Sequence, residues 1–397
     1  MARQKKLLQP ELNMSFEMHT KTPPLRIMLF IHSLRGGGAE RVAVDLAARW
    51  IANGHDVLLV TQTDDSEDAY ELNKQVQRIC LNTAGLKGVM ANLRRVYILR
   101  REIRRHRPDI VIGFMTTSSI LAVLAASGIS GCHVIATEHT HPPSQTLSGL
   151  WQKLRRYTYP KASKVIALTH GTEAWLEKHV PGSNIAVIPN AVHWPLENKE
   201  PAIQYEKAPG RKLLLGVGRL HHDKGFDLLI NAFASIAHLH PEWDLVILGE
   251  GDKRDALQKQ LEEAGMNERI SMPGRAGNML AWSRMVDIYV LSSRAEGLSN
   301  SLLEAMACGV PSVAFDCDTG PREIIRPDLD GVLVQPAEDE EALAAHLSAL
   351  MFNQAKQVEL GKRAIDVRDR FSMRRISGLW EQVFNEVLDH KKNGQKG

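Results

Sequence analysis

Short apolar runs alternate with amphipathic stretches along most of the chain. "LRIMLFIH" reads as a buried strand, "RGGGAE" as a turn, and Ala39 to Asn53 as a helix closed by Gly54. "DVLLVTQ", "DIVIGF", "HVIATEH", "KVIALT" and "IAVIPN" follow as further strands, most of them separated by helical stretches. Continuous apolar strands alternating with helices predict a parallel sheet covered on both faces. The pattern lapses at "AVHWPLENKEPAIQYEKAPG", a polar, proline-bearing stretch that suits a linker. It restarts with "KLLLGVGRL", "DLVILGEG", "RISMPG", "DIYVLSS", "PSVAFD" and "GVLVQP", a second unit of similar size. The expected fold class is α/β, with two Rossmann-like doubly wound domains facing a central cleft, because such sheets bind ligands beyond their carboxyl ends. The expected divisions are an N-terminal tail over 1–24, a first domain over 25–195, a second over 196–372 and a terminal stretch over 373–397. In that last stretch Ile376, Leu379, Trp380, Val383, Val387 and Leu388 share one stripe, which predicts a helix crossing back to the first domain.

Composition narrows the class. The chain has 397 residues, 44% hydrophobic and 24% charged, as in soluble globular proteins, and the length suits two domains. No run approaches the roughly 18 apolar residues of a membrane span. The basic start, "MARQKKLLQPELNMSFEMHT", lacks the apolar centre and cleavage site of a signal peptide, so a short lead-in is expected. Cys80, Cys132, Cys308 and Cys317 form no CxxC pair, which argues against a disulfide scaffold or structural zinc and for a reducing cytoplasm. Charge is uneven: 24 Lys+Arg stand against 15 Asp+Glu up to Pro195, and 25 against 31 beyond it. A basic first half suggests an anionic partner surface.

Three G-x-G starts occur, at Gly36-Gly37-Gly38, Gly216-Val217-Gly218 and Gly249-Glu250-Gly251, but the third glycine of a dinucleotide fingerprint is replaced by Arg41, His221 and Arg254. Nicotinamide and flavin chemistry are therefore disfavoured, and no GxxxxGK[ST] loop is present. Phosphate handling is still indicated. "SLRGGGAERVAVDLA" follows a strand and opens a helix, so backbone N–H groups and a helix N-terminus meet an incoming anion. Arg219 and Lys224, in the loop of "GVGRLHHDKGFD", are two cations suited to clamping a diphosphate.

"RAEGLSNSLLEAMACGVPSVAFDCDTG" carries Glu296 in a loop and Glu304 in a short helix that Ser299 or Asn300 caps, Gly309 ends and Pro311 blocks. The two carboxylates do not share a helical face and are not expected to share a proton. Spacing alone leaves Glu304 as either a ribose-binding group or an ordinary helix-surface residue.

These motifs together, "GVGRLHHDKGFDLLINAF", "LVILGEG", "EGLSNSLLEAMACGVPSVAFD" and "GVLVQP", resemble the C-terminal domain of retaining family-4 glycosyltransferases of the GT-B fold. "RGGGAERVAVDLAARWIANGHDV" and "VIPNAV" resemble that family's N-terminal domain and its exit, so the likeness runs from about Arg26 to His390. The resemblance implies the following roles. Gly37 and Gly38 would approach the donor diphosphate, and Arg219 and Lys224 would neutralise it as it leaves, with no metal and no cofactor required. Glu304 would bind the ribose hydroxyls, Glu296 the donor sugar, and Ser299, Asn300, Ser301 and Leu302 would lie near sugar and phosphate. Arg275 in "MPGRAG" would lie near the base. His139 matches the family's active-site histidine; Glu138, His141 and Thr319 are lesser candidates for acceptor contact. Where many relatives carry GG-x-x-E, this chain has "FDCDTGPREII", which resembles bacterial polysaccharide transferases using hexose or N-acetylhexosamine donors, expected as UDP-sugars. The "DCD" of Asp316 and Asp318 mimics a metal-binding DxD but lacks that fold's context.

On the acceptor side, "LKGVMANLRRVYILRREIRRHRPD" interleaves Arg94, Arg95, Arg100, Arg101, Arg104, Arg105 and Arg107 with Leu93, Val96, Tyr97, Leu99 and Ile103. "LSGLWQKLRRYTYPKASK" adds Trp151, Lys153, Arg155, Arg156 and Tyr157. Basic segments with interfacial aromatics fit an anionic bilayer surface and a lipid-linked or oligosaccharide acceptor; no nucleic-acid module is present. The expected function is retaining transfer of a hexose or N-acetylhexosamine from a nucleotide sugar to a growing glycan of the cell surface, on the inner face of the cytoplasmic membrane. The alternatives are a GDP-mannose-dependent mannosyltransferase, a sugar-nucleotide epimerase or phosphorylase on the same scaffold, and a non-enzymatic scaffold protein on a decayed fold.

Overall fold

The computed structural model describes residues 23–83, 85 and 88–394; the expected tail falls outside these up to residue 22. Seven strands form the first sheet: β1 (Arg26–Ile31), β2 (Asp56–Thr61), β3 (Gln77–Cys80), β4 (Ile110–Gly113), β5 (His133–Glu138), β6 (Lys164–Ala167) and β7 (Ile185–Val187). Six form the second: β8 (Lys212–Val217), β9 (Trp243–Leu248), β10 (Ile270–Gly274), β11 (Ile288–Leu291), β12 (Ser312–Phe315) and β13 (Val332–Val334). Their orders are β3-β2-β1-β4-β5-β6-β7 and β10-β9-β8-β11-β12-β13, and the strand pairs are parallel. Both sheets therefore reverse direction beside their first strand, the doubly wound arrangement that opens a ligand crevice at that switch point.

Burial on both faces explains the unbroken apolar strands. In β1, Ile27, Leu29 and Ile31 join one core cluster while Met28 and Phe30 join another on the opposite face. In β8, Leu214 faces one cluster and Leu213 and Leu215 the other. The period of two thus sorts a continuous apolar run between two helical layers. One strand, β3, was not legible: "QRIC" is short, partly exposed and paired only with β2 at the sheet edge.

The terminal helix, Met373–Gly394, packs Ile376, Trp380, Val383, Phe384 and Val387 into the first sheet's cluster. Trp50 meets Trp380 edge-on at 5.4 Å, and Lys164 pairs with Glu386 at 2.8 Å. The chain therefore closes on its starting lobe after building the second. Among the described residues, no helix is long and apolar enough to cross a membrane.

Candidate active site

The loops after β8 and β11 form the second lobe's wall. Lys224 ends a tight turn, His222–Lys224, and Gly225 follows in the left-handed region at φ +60. A side chain there would meet the Ser292 carbonyl at 2.0 Å, so only glycine lets the β8 loop lie against the β11 loop. That approach brings Lys224 Nζ to donate to Glu296 Oε1 at 2.6 Å, while Ser293 Oγ donates to the same oxygen at 2.7 Å. Arg294 fixes the loop from behind, donating to both oxygens of Asp227 at 2.7 and 2.6 Å. This grip holds the Asp227 carboxyl below its ordinary value even though burial, the largest single influence, acts to raise it. Arg219 is exposed and, among the described residues, has no ion-pair partner.

The helix Asn300–Ala307 begins beside this loop, with Ser299 as its cap accepting from the Leu302 N–H at 3.4 Å. Ser301 Oγ accepts from the Tyr289 hydroxyl at 2.8 Å, and the Leu302 side chain is fully buried in the lobe's core. The Leu302 side chain therefore packs away from the cleft, and its N–H is taken by the Ser299 cap. The first amides of such a helix have no intrahelical acceptor and carry the positive end of its dipole toward the cleft.

The first lobe's wall is barer. Gly37 caps the helix Gly38–Ala52, and Gly36 is left-handed at φ +111. A side chain at Gly36 would come within 3.1 Å of the Arg275 guanidinium, so Arg275 reaches across from the second lobe to the glycine loop. Asn300 likewise borders Gly38 and accepts at Oδ1 from Asn190 Nδ2 at 3.0 Å. His139, after β5, stacks on Phe114 with centroids 4.9 Å apart, and both its ring nitrogens are buried without a partner. Burial drives its pKa down to about 4, so the ring is neutral near pH 7. The His139 carbonyl lies against Gly297, where a Cβ would approach it to 2.2 Å. Glycine at 297 thus permits the lobes to meet beside Glu296.

The lesser acceptor candidates separate. Glu138 faces inward: Thr116 and Tyr159 hydroxyls donate to it at 2.6 Å each, Gln145 at 2.9 Å, and Arg155 lies at 3.5 Å. A carboxylate so satisfied, 1% exposed, anchors the first lobe rather than contacting an acceptor, which corrects the expectation for Glu138. His141 is buried with Nδ1 3.1 Å from the Thr172 hydroxyl. Thr319 is buried at the lobe boundary, its hydroxyl unpartnered and close to Gly171. Of the DCD pair, Asp316 is held by Arg322 at 2.8 Å and by Gln335. Among the described residues no group of three or more His, Cys, Asp or Glu is placed to hold a metal ion.

Glu304 departs most from a residue on an open helix surface. It is buried, and Arg41 Nη1 donates to its Oε1 at 2.6 Å across the cleft. Glu296 and Glu304 thus have separate cations. Arg41 and Asn190 belong to the site and were not singled out from sequence. Arg41 was visible only as the failed third glycine of a fingerprint, and Asn190 only within "VIPNAV".

The profile of "Glycosyltransferase Family 4" matches residues 36–193, and that of "Glycosyl transferases group 1" matches 198–367. The chain is a family-4 glycosyltransferase of the GT-B fold. The two matches fall on the two lobes and meet at the linker. The transferase is 32% identical over 301 residues to an exopolysaccharide phosphotransferase of Streptomyces coelicolor, spanning 75% of this chain but only 31% of that protein. It is 25% identical over 368 residues, 91% of this chain and 99% of the other, to an α-1,4-N-acetyl-D-galactosaminyltransferase of Campylobacter jejuni acting on a diphospho-undecaprenol-linked glycan. The solved Anabaena HepE structure in complex with UDP and glucose superposes with a TM-score of 0.76 at 18% identity, covering 91% of this chain and 99% of that one. Relatives of this glycosyltransferase are named for bacterial polysaccharide and lipid-linked glycan synthesis.

Proposed function

We propose that the enzyme transfers a hexose or N-acetylhexosamine from a UDP-sugar to a lipid-linked glycan, with retention of anomeric configuration. One observation carries this reading: Asn300, which opens the second lobe's helix, borders Gly38, which opens the first lobe's, and Glu296, paired with Lys224, sits in the loop leading into the Asn300 helix. Such a cradle fits a diphosphate with a sugar held beside it. Arg219 and Lys224 neutralise the charge that grows on the leaving diphosphate, as fixed cations do at a developing anion, so the reading requires no metal. Glu296 holds sugar hydroxyls, and neutral His139 offers a hydrogen bond at the sugar's other side. The acceptor hydroxyl attacks the anomeric carbon on the face the diphosphate leaves, and the departing oxygen takes its proton. UDP is favoured over GDP because the Anabaena neighbour was solved with UDP.

The acceptor side supports a membrane-borne substrate. On the helix Gly88–His106, Met90 is 77%, Leu93 57% and Tyr97 69% exposed, on a face flanked by exposed Arg94, Arg101 and Arg104. An apolar stripe rimmed by arginine suits the surface of an anionic bilayer. A thermal-shift panel tests the donor: UDP-sugars should stabilise the protein and GDP-mannose should not, since a specific ligand raises stability by mass action. Stabilisation by GDP-mannose alone would transfer the reading to a mannosyltransferase. Binding to phosphatidylglycerol vesicles at low salt tests the surface, and its absence removes the membrane from the proposal.

A further inference from the structure

Arg41 stands where elementary electrostatics disfavours it. It lies at the start of the helix Gly38–Ala52, close to the positive end of the dipole, where acids rather than bases are stabilising. Its guanidinium crosses the cleft to Glu304 at 2.6 Å, with Asp45 following at 3.8 Å and His193 of the linker 3.3 Å from Asp45. Burial opposes the Arg41 charge, but Glu304 and Asp45 outweigh it and hold the group above its ordinary value. Arg41 bonds only Oε1 of Glu304, and Oε2 is not among the buried, unpartnered atoms.

We infer that Arg41 is a positioning residue for the donor: by bonding one Glu304 oxygen across the closed cleft, it aims the other at the ribose. The inference rests on the donor reading above. It makes the ribose-binding group complete only when the lobes are together, so nucleotide binding and closure favour one another. Asn190, donating to Asn300 one turn before Glu304, reinforces the same register between lobes. The groups facing Glu304 are Arg41 and Asp45 of the first lobe's helix, His193 of the linker, and Tyr289 and Cys308 of its own lobe. Burial raises the Glu304 carboxyl and Arg41 opposes that rise. Without Arg41 the carboxyl protonates at higher pH, and nucleotide affinity fails earlier on acidification.

The test compares wild type, Arg41→Gln and Arg41→Lys by UDP titration calorimetry across pH 5–8, by donor kinetics and by small-angle scattering without ligand. Arg41→Gln should raise the UDP Kd and donor KM by about tenfold or more, the scale of a lost charged hydrogen bond, while kcat changes little. Its acid limb of binding should move to higher pH, its ligand-free radius of gyration should rise, and Arg41→Lys should recover part of the affinity. UDP affinity and acid limb unchanged in Arg41→Gln overturn this inference alone, as does tighter binding, which would make Arg41 a mere plug. Wild-type protein that binds no nucleotide overturns the donor reading and this inference with it.

Discussion

On the second lobe, Lys224, Ser293 and Glu296 form one hydrogen-bonded group, braced by Arg294 on Asp227 and by the Ser299 cap. On the first lobe the cleft wall is glycine backbone at 36–38, a histidine whose nitrogens find no protein partner, and Arg41, whose guanidinium is bonded to Glu304 of the other lobe. The first lobe's Glu138 is turned away from the cleft and spent on internal cohesion. One wall holds its charges at fixed distances by bonds within its own lobe; the other presents glycine backbone and an unpartnered ring, and its Arg41 is tied to the opposite wall. On the proposed reading, preorganised charge suits the leaving diphosphate, whose stabilisation cannot wait for side chains to reorient. On the same reading, a sparse wall suits an acceptor side that admits a large glycan.

Four substitutions break or sharpen this contrast. The largest effect is expected on the organised wall. Lys224→Ala, and separately Glu296→Ala, should each lower kcat by about a hundredfold or more, the scale found when one transition-state donor is removed. Circular dichroism should show the fold kept, and near-wild-type turnover in either variant removes these residues from the chemistry. Next, Glu138→Ala should destabilise the first lobe by about 3–5 kcal/mol, because it strands the buried Arg155 charge without its partner. Chemical denaturation measures it; an unchanged midpoint with weakened acceptor binding would return Glu138 to the acceptor site. The smallest effect concerns His139. Folded His139 titrates at about 4, below its ordinary 6.5, so between those values the unfolded chain binds the extra proton. Stability contributed by this group is therefore lost as pH falls through that window. His139→Asn should flatten the pH dependence of the urea midpoint between pH 6.5 and 4, whereas an unaltered slope places the ring in contact with solvent.

Much of the molecule was readable along the chain because its strands are buried on both faces, so apolar runs mark them without ambiguity. The six strands of the second sheet follow the order of their quoted runs, and of the two candidate caps, Ser299 and Asn300, it is Ser299 that caps the helix Asn300–Ala307. The edge strand β3 escaped because an edge needs only one neighbour and little apolar surface. On the second lobe, Arg219, Lys224, Glu296 and Glu304 fall where their motifs put them in the fold, in strand-end loops or the helix that follows.

What sequence by itself determined was the alternation of elements, the switch-point loops and the residue types that can hold an anion. These are local properties, set by periodicity, glycine and caps within a few residues. Only the tertiary structure decided which carboxylate meets which cation. Glu138 lies beside His139 in the chain yet is directed into the core, because successive residues of an extended segment point to opposite sides. Arg41 and Glu304 are 263 positions apart and meet at 2.6 Å, because the linker and the returning last helix bring two helix starts together. A pairing of that kind belongs to the packing of the lobes, and no local pattern carries it.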